Sequence, residues 1–218
     1  MYFFSCLDRE TGFTRVIVHL PSLGLARMNA SFSDERVRDI MARAGFRLLH
    51  VDVIEEARAC LGAKYSRGVE LRSAPETFDC SGLIVHVFAK KGVRLPRYAI
   101  DQLNIGPGSF VVRIDDLKKG DLVFTNGKCG FYWDDPMRRV GHVGLVTGNG
   151  TVIHAASSAR GVVEDAFKKF FAKRNFVGAR RVLPLGIDDQ FITVEALPEM
   201  DIDSSQTLRW VVLSTVRY

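Results

Sequence analysis

The chain has 218 residues, 47% hydrophobic and 25% charged, with a formal net charge of +5. That balance belongs to a folded globular protein and excludes wholesale disorder; the length suits one large domain or one domain with appendages. The positive excess forms no basic block and no basic-aromatic interleaving, so nucleic-acid recognition is not expected.

The opening "MYFFSCLDRETGF" has no basic n-region, and Asp8, Arg9 and Glu10 break its apolar run, so it does not read as a signal peptide. No stretch reaches the roughly 18 apolar residues of a membrane span. As encoded, the chain is expected in the cytoplasm, or exported by a route the sequence does not display. "TRVIVHLPS" (14–22) predicts strand structure ending at Pro21. "SDERVRDIMARAGF" (33–46) predicts a helix, with Ser33 as N-cap, Asp34 and Glu35 in the first turn and Gly45 as its stop. "HVDVIEEARACLGAKY" (50–65) repeats the pattern, with Val53, Ala57, Cys60 and Leu61 on one face and Gly62 closing it. Cys60 therefore has a packing role.

After a polar loop (66–77), a helix is expected from Ser81 to about Lys91, with Leu83, Ile84, Val87 and Phe88 as its apolar stripe and His86 off it. Gly92 and Pro96 end it. Short strands bounded by Gly or Asn follow: "GDLVFTN" (120–126), "GHVGLVT" (141–147), "TVIHAAS" (151–157) and "FVGARRVL" (176–183). "VEDAFKKFFAKR" (163–174) reads as a short amphipathic helix before the last of these, and 191–218 as two more strands around a polar turn. Helices followed by antiparallel strands indicate an α+β fold.

Cys80 falls at the first turn of the central helix, between Asp79 and Ser81. Cysteine is usually a small core hydrophobe. At a helix N-terminus, however, the backbone dipole and unpaired N–H groups favour the thiolate. Cys6, Cys60, Cys80 and Cys129 show no C-x-x-C spacing, which argues against a zinc site or a disulfide framework. Cys129 is incidental, and His19 and His50 have no partner in the sequence.

His142 and His154 lie on neighbouring strands. A two-residue turn at Asn149-Gly150 would put them on opposite faces. A three-residue loop, Gly148-Asn149-Gly150, pairs 147 with 151, sets 144 opposite 154 and places His142 diagonally beside His154. Gly150 can take the left-handed conformation this loop needs, so the longer loop is expected. A same-face pair suits a thiol nucleophile: one imidazole takes the thiol proton and returns it to the leaving amine, while the other holds its tautomer. Chain order does not say that Cys80 reaches His142, and two unrelated strand histidines are the other reading.

The run from about 55 to 183 resembles the NlpC/P60 family of papain-like cysteine peptidases. The matching motifs, in order, are "FDCSGLIVHVF", "GVRLPRYAIDQ", "IDDLKKGDLVF", "GHVGLVTGNGTVIHAAS" and "VGARRVL". The resemblance implies a papain-like fold with Cys80 as nucleophile, His142 as base, His154 as the orienting residue and the Cys80 N–H as an oxyanion donor. It also implies no metal or organic cofactor, and bacterial cell-wall stem peptides as substrate, often cut between γ-D-glutamate and a diamino acid. Tyr65, Asp79 and Ser81 match positions that hold the stem; their plainer roles are aromatic packing, N-capping and first-turn solvation. Two segments depart from the family pattern. "KYSRGVELRSAPETFDC" lacks the usual Trp and second Gly, and "NGKCGFYWDDPMRRV" (126–140) is long and carries Phe131, Tyr132 and Trp133.

The expected organisation is an N-terminal extension (1–49), a catalytic domain (50–185) and a C-terminal β extension packed on it (186–218). The expected partner is a stem peptide or related small peptide, with no nucleic acid; oligomeric state is open. The alternatives are a thiol amidase, acyltransferase or deamidase on a non-wall substrate, a silent peptide-binding module, and a secreted antibacterial effector.

Overall fold

Strand alternation and glycine-bounded turns build two antiparallel sheets in a computed structural model that describes residues 4–7, 14–19, 34–127, 140–172, 174–183, 191–197, 200, 202 and 205–216. The chain runs through β1 (Phe4–Leu7), β2 (Thr14–His19), α1 (Asp34–Arg43), β3 (Arg47–Leu49) and α2 (Val53–Ala59). A short parallel pair, β4 (Lys64–Tyr65) and β5 (Thr77–Phe78), precedes α3 (Cys80–Lys90) and α4 (Ala99–Asn104). Then come β6 (Ser109–Val111), β7 (Leu122–Asn126), β8 (Val140–Val146), β9 (Thr151–Ser157) and β10 (Gly161–Ala166). Helix α5 (Phe167–Phe170), β11 (Phe176–Arg181), β12 (Phe191–Ala196) and α6 (Ser205–Val216) follow. Among the described residues, no helix is long and apolar enough to cross a membrane.

These elements form two compact units, one of residues 1–51, 89–94 and 185–218, the other of 52–88 and 95–184. The first has a sheet in the order β1-β2-β12-β3. Its core gathers Val16, Ile40, Met41, Phe46, Val194 and Leu208. Gly92 closes α3 with φ +86°, and a Cβ there would stand 3.0 Å from Ile17 N, so only glycine lets the turn pass this close to β2.

The C-terminal segment corrects the expectation of a β extension. Its first half, β12, pairs with β2 and β3 from the N-terminal segment, and its second half is the helix α6 rather than a strand. The β-branched Val211, Val212, Thr215 and Val216 favour a strand, but Leu208 packs in this core with Val211 against it, a helical spacing of three.

The second unit has a six-stranded sheet in the order β10-β9-β8-β7-β11-β6. Val123, Val146, Val152 and Phe170 form a cluster in it, flanked by Leu117, Phe167, Phe171 and Phe176. Asp121 is fully buried at the start of β7; Arg181 donates to both its oxygens at 2.9 and 2.8 Å, and the Lys118 N–H donates at 2.9 Å. That fork ties β7 to the end of β11.

The segment 163–174 is also corrected. Val162 to Ala166 pair with β9 as strand β10, and only Phe167–Phe170 is helical. The spacing of Phe167 and Phe170 imitated a longer amphipathic helix. The β8–β9 connection has the expected register: Leu145 faces Ile153, Val146 faces Val152, and the Thr147 N–H donates to the Thr151 carbonyl at 3.1 Å. Gly148 and Gly150 take φ of 91° and 73° within the three-residue loop.

Candidate active site

The Cys80 end of the site is built on Asp79. Its side chain accepts the Gly82 N–H at 2.7 Å and the Gly68 N–H at 3.1 Å, while its carbonyl accepts the Leu83 N–H at 3.0 Å. Asp79 is thus the N-cap of α3, and Cys80 is the first helical residue. Arg97 forks onto the same carboxylate at 3.0 and 2.6 Å and also donates to Ser81 Oγ at 3.0 Å and the Val69 carbonyl at 2.6 Å. A Cβ on Gly82 would lie 2.8 Å from Asp79 Oδ1, so glycine here lets the carboxylate fold back over the turn. Gln102, fully buried, donates through Nε2 to the carbonyls of Ser81 at 3.2 Å and Pro96 at 2.9 Å.

Cys80 is partly accessible, yet burial of its thiol, followed by the Asp79 charge, pushes its pKa up to about 11. The backbone N–H groups of Val143, Ser81 and Cys80 itself pull the other way and do not win. The resting group at neutral pH is therefore the thiol. The thiolate expected from the helix N-terminus alone is outweighed by desolvation. Val143 follows His142 on β8, so its N–H sets the sulfur beside the strand that carries His142.

The second half of the site is a line of three groups on adjacent strands. His142 Nε2 lies 2.8 Å from His154 Nδ1, with the rings edge-on at 86°. His154 Nε2 lies 3.1 Å from Asp165 Oδ2. Arg160 forks onto Asp165 at 2.8 and 2.6 Å, and Lys169 Nζ adds a contact at 2.9 Å. These cations hold the carboxyl far below the usual carboxylate range, with the Arg160 hydrogen bonds the largest cause. Burial pulls His154 down to about 4 despite Asp165, and His142 well below its ordinary 6.5. Both rings are neutral at rest.

The tautomers follow from this order. Ionised Asp165 only accepts, so His154 carries its proton on Nε2 and donates it. Its Nδ1 is then bare and accepts from His142 Nε2–H. His142 Nδ1 is left as the basic nitrogen. Room for the pair comes from Gly144, which faces the same side: a Cβ there would stand 2.4 Å from Val152 Cγ1 and 3.1 Å from Phe170 Cε2.

Of the expected site residues, His142 and His154 are brought into direct contact, and Cys80 lies against the N–H of the residue after His142. Asp79 and Ser81 are buried and held by Arg97. Tyr65 lies on β4, half-buried. Ser33, Cys129, Phe131, Tyr132 and Trp133 fall outside the described residues. Sequence reasoning missed Asp165, Arg160 and Arg97. A strand reading of 161–166 would have found Asp165: Val163 faces His154, so Asp165 is its same-face diagonal neighbour, the relation already drawn between His142 and His154. Among the described residues, no group of His, Cys, Asp or Glu could hold a metal ion.

A cysteine at a helix start, against the N–H of the residue that follows a strand-borne histidine whose tautomer is fixed by a second histidine and a carboxylate, marks a candidate thiol–imidazole site on an α+β scaffold. Residues 62–181, more than half of the chain, match the NlpC/P60 family, and the protein belongs to that family. Among its relatives, the chain is 34% identical over 130 residues to a gamma-DL-glutamyl hydrolase of Bacillus subtilis, covering 60% of this chain and 29% of that protein. It is 32% identical over 111 residues to the gamma-D-glutamyl-L-lysine dipeptidyl-peptidase of the same organism, covering 51% and 33%. An NlpC/P60 family protein from Bacillus cereus superimposes with TM-score 0.51 at 28% identity, covering 61% of this chain and 40% of that one. The chain thus spans about a third of the length of these curated relatives.

Proposed function

We propose that this protein is a cysteine peptidase that hydrolyses an amide bond in bacterial cell-wall stem peptides, at a γ-D-glutamyl linkage. The observation that carries the chemistry is the line Asp165–His154–His142, which leaves one basic nitrogen, His142 Nδ1, on the strand next to Cys80. The two Bacillus relatives named for γ-glutamyl bonds support the substrate class.

In this reading the neutral thiol gives its proton to His142 Nδ1 as Sγ bonds to the scissile carbonyl carbon. The oxyanion accepts from the Cys80 N–H, a first-turn donor without an intrahelical acceptor. His142 then hands the proton to the departing amine, whose C–N bond breaks, and a thioester remains. Water attacks that thioester carbonyl, the C–S bond breaks to release the acid, and the proton from water passes through His142 back to sulfur. The charge that appears on His142 is offset through His154 by Asp165.

Tyr65, Asp79 and Ser81 are the proposed stem-contacting positions. For Asp79, pairing with a free stem amine competes with Arg97 for the same two oxygens. Asp79→Asn measured on free and N-acylated stems tests that pairing: equal losses on both leave Asp79 as cap and clamp alone. The whole reading is tested by incubating the protein and Cys80→Ala with purified muropeptides and weighing the products. Cleavage at the γ-glutamyl bond by wild type alone is expected. Intact muropeptides with a reactive Cys80 would move the function to an amidase or acyltransferase on another substrate.

A further inference from the structure

Arg174 has no part in the chemistry above, yet it stands at the site. Its Cζ lies 5.9 Å from the Phe170 ring centroid. That ring is edge-on to His154 at 4.9 Å and lies 5.9 Å from His142. The root of the side chain is fixed from both sides. The Arg174 N–H donates to the Phe171 carbonyl at 3.2 Å, and the Asn175 N–H donates to Asn126 Oδ1 at 2.7 Å while the Asn126 N–H returns to the Asn175 carbonyl at 3.0 Å.

Five other cations of this unit hold carboxylates. Arg97 holds Asp79, Arg160 and Lys169 hold Asp165, Arg58 holds Glu164, and Arg181 holds Asp121. The Arg174 guanidinium has neither a carboxylate nor a hydrogen-bond acceptor among the described residues, although it is half-buried. Burial without a partner disfavours the charged form, and that is the first cause lowering its pKa from 12.5. Charge on Cys80 and Tyr65 acts on Arg174, which in turn helps depress both imidazoles. A half-buried, rooted guanidinium with no ion-pair partner among the described residues, whose charge interacts with that of Cys80, is built to receive an anion that arrives with the substrate.

We propose that Arg174 reads a carboxylate on the acyl side of the scissile bond, namely the free α-carboxylate of a γ-linked glutamyl residue whose side-chain carbonyl Cys80 attacks. This rests on the peptidase reading for its substrate. A γ-linkage leaves that carboxylate unblocked three carbons from the reacting carbonyl, within reach of a cation beside the nucleophile. Arg174 therefore selects stems with the free α-carboxylate over their carboxamides.

The test pairs two substrates and two alkylating agents. Stem peptides carrying either the free α-carboxylate or its carboxamide are compared in wild type, Arg174→Gln and Arg174→Lys. Arg174→Gln should lose about 10- to 100-fold in kcat/KM on the carboxylate stem, the range of one charge-assisted contact, and less than about threefold on the carboxamide. Arg174→Lys should recover part of the loss. Equal losses on both stems would overturn the proposal and leave Arg174 as a general electrostatic support of the thiolate. Independently of any peptide, Cys80 is alkylated with iodoacetate and with neutral iodoacetamide. Wild type should favour the anionic reagent relative to free cysteine, and Arg174→Gln should abolish that bias. If wild type cleaves no stem peptide, the peptidase reading fails while the alkylation ratio still decides Arg174: a ratio unchanged by Arg174→Gln refutes the anion site.

Discussion

Two buried aspartates, each forked by an arginine, stand at the two ends of the site and do different work. Asp79, with Arg97, holds backbone: it caps α3 and fixes the turn from which Cys80 projects. Asp165, with Arg160, holds a ring: it sets the tautomer of His154 and, through it, that of His142. Their charges also act on different titratable groups. Asp79 raises the Cys80 pKa and so keeps the proton on sulfur, whereas Asp165 raises that of His154 against the pull of burial. The same ion pair thus serves as a mechanical clamp at one end and an electrostatic lever at the other. Which role it takes depends on whether the carboxylate faces N–H groups of a helix or a titratable ring.

The largest effect expected from the site lies between the two clamps. Cys80→Ala and His142→Ala should each lower kcat on a stem peptide by about 10⁴-fold or more, with the far-ultraviolet circular dichroism unchanged, because members of such a unit fail together. A residual rate within tenfold of wild type in either variant would remove that residue from the chemistry.

Asp165→Asn breaks the electrostatic end. An amide keeps the shape but not the charge that forces the tautomer, so kcat should fall about 10²-fold with KM little changed. His154→Asn should be milder, since an amide oxygen still accepts from His142 Nε2–H. The reverse order in steady-state kinetics would put the orienting work on His154 alone.

Asp79→Asn breaks the mechanical end. Asparagine still caps the helix, but Arg97 loses its ion pair, so denaturant unfolding should show a loss of about 1–3 kcal/mol. Removing the Asp79 charge also removes one cause of the high thiol pKa, so the pH profile of iodoacetamide labelling at Cys80 should move to lower pH. Asp165→Asn should leave that profile nearly in place, and an equal shift in both variants would erase the distinction between the clamps.

The smallest expected effect is a slope in stability with pH. His154 titrates near 6.5 when unfolded and near 4 when folded, so between these values the unfolded chain binds more protons. Its contribution is whole above pH 6.5 and is lost as pH falls toward 4, and His142 adds to the loss in the same direction. At the other extreme, Cys80 ionises near 9.0 unfolded and near 11 folded, so stability falls again as pH rises through that window. Urea midpoints measured across pH 4–7 in wild type and His154→Asn check the acid limb, where the variant should be flatter. Parallel slopes would mean that His154 is not held neutral by burial.

What the sequence determined by itself is what short-range chemistry controls. A helix that begins at the acid before Cys80, and a three-residue glycine loop that puts His142 and His154 on one face, are both decided within a few residues by capping, φ preference and strand period. The motif order that marks the family is legible for the same reason. Asp165 stayed hidden because Phe167 and Phe170 gave 163–174 a helical period, while its strand character comes from pairing with β9. The first unit stayed hidden because β2 and β12 are separated by most of the chain, and no local pattern names a partner at that distance. The protonation state of Cys80 was decided last of all. A helix N-terminus favours the thiolate wherever it occurs, but how much water the fold strips from the sulfur, and how near Asp79 is clamped to it, are properties of packing alone.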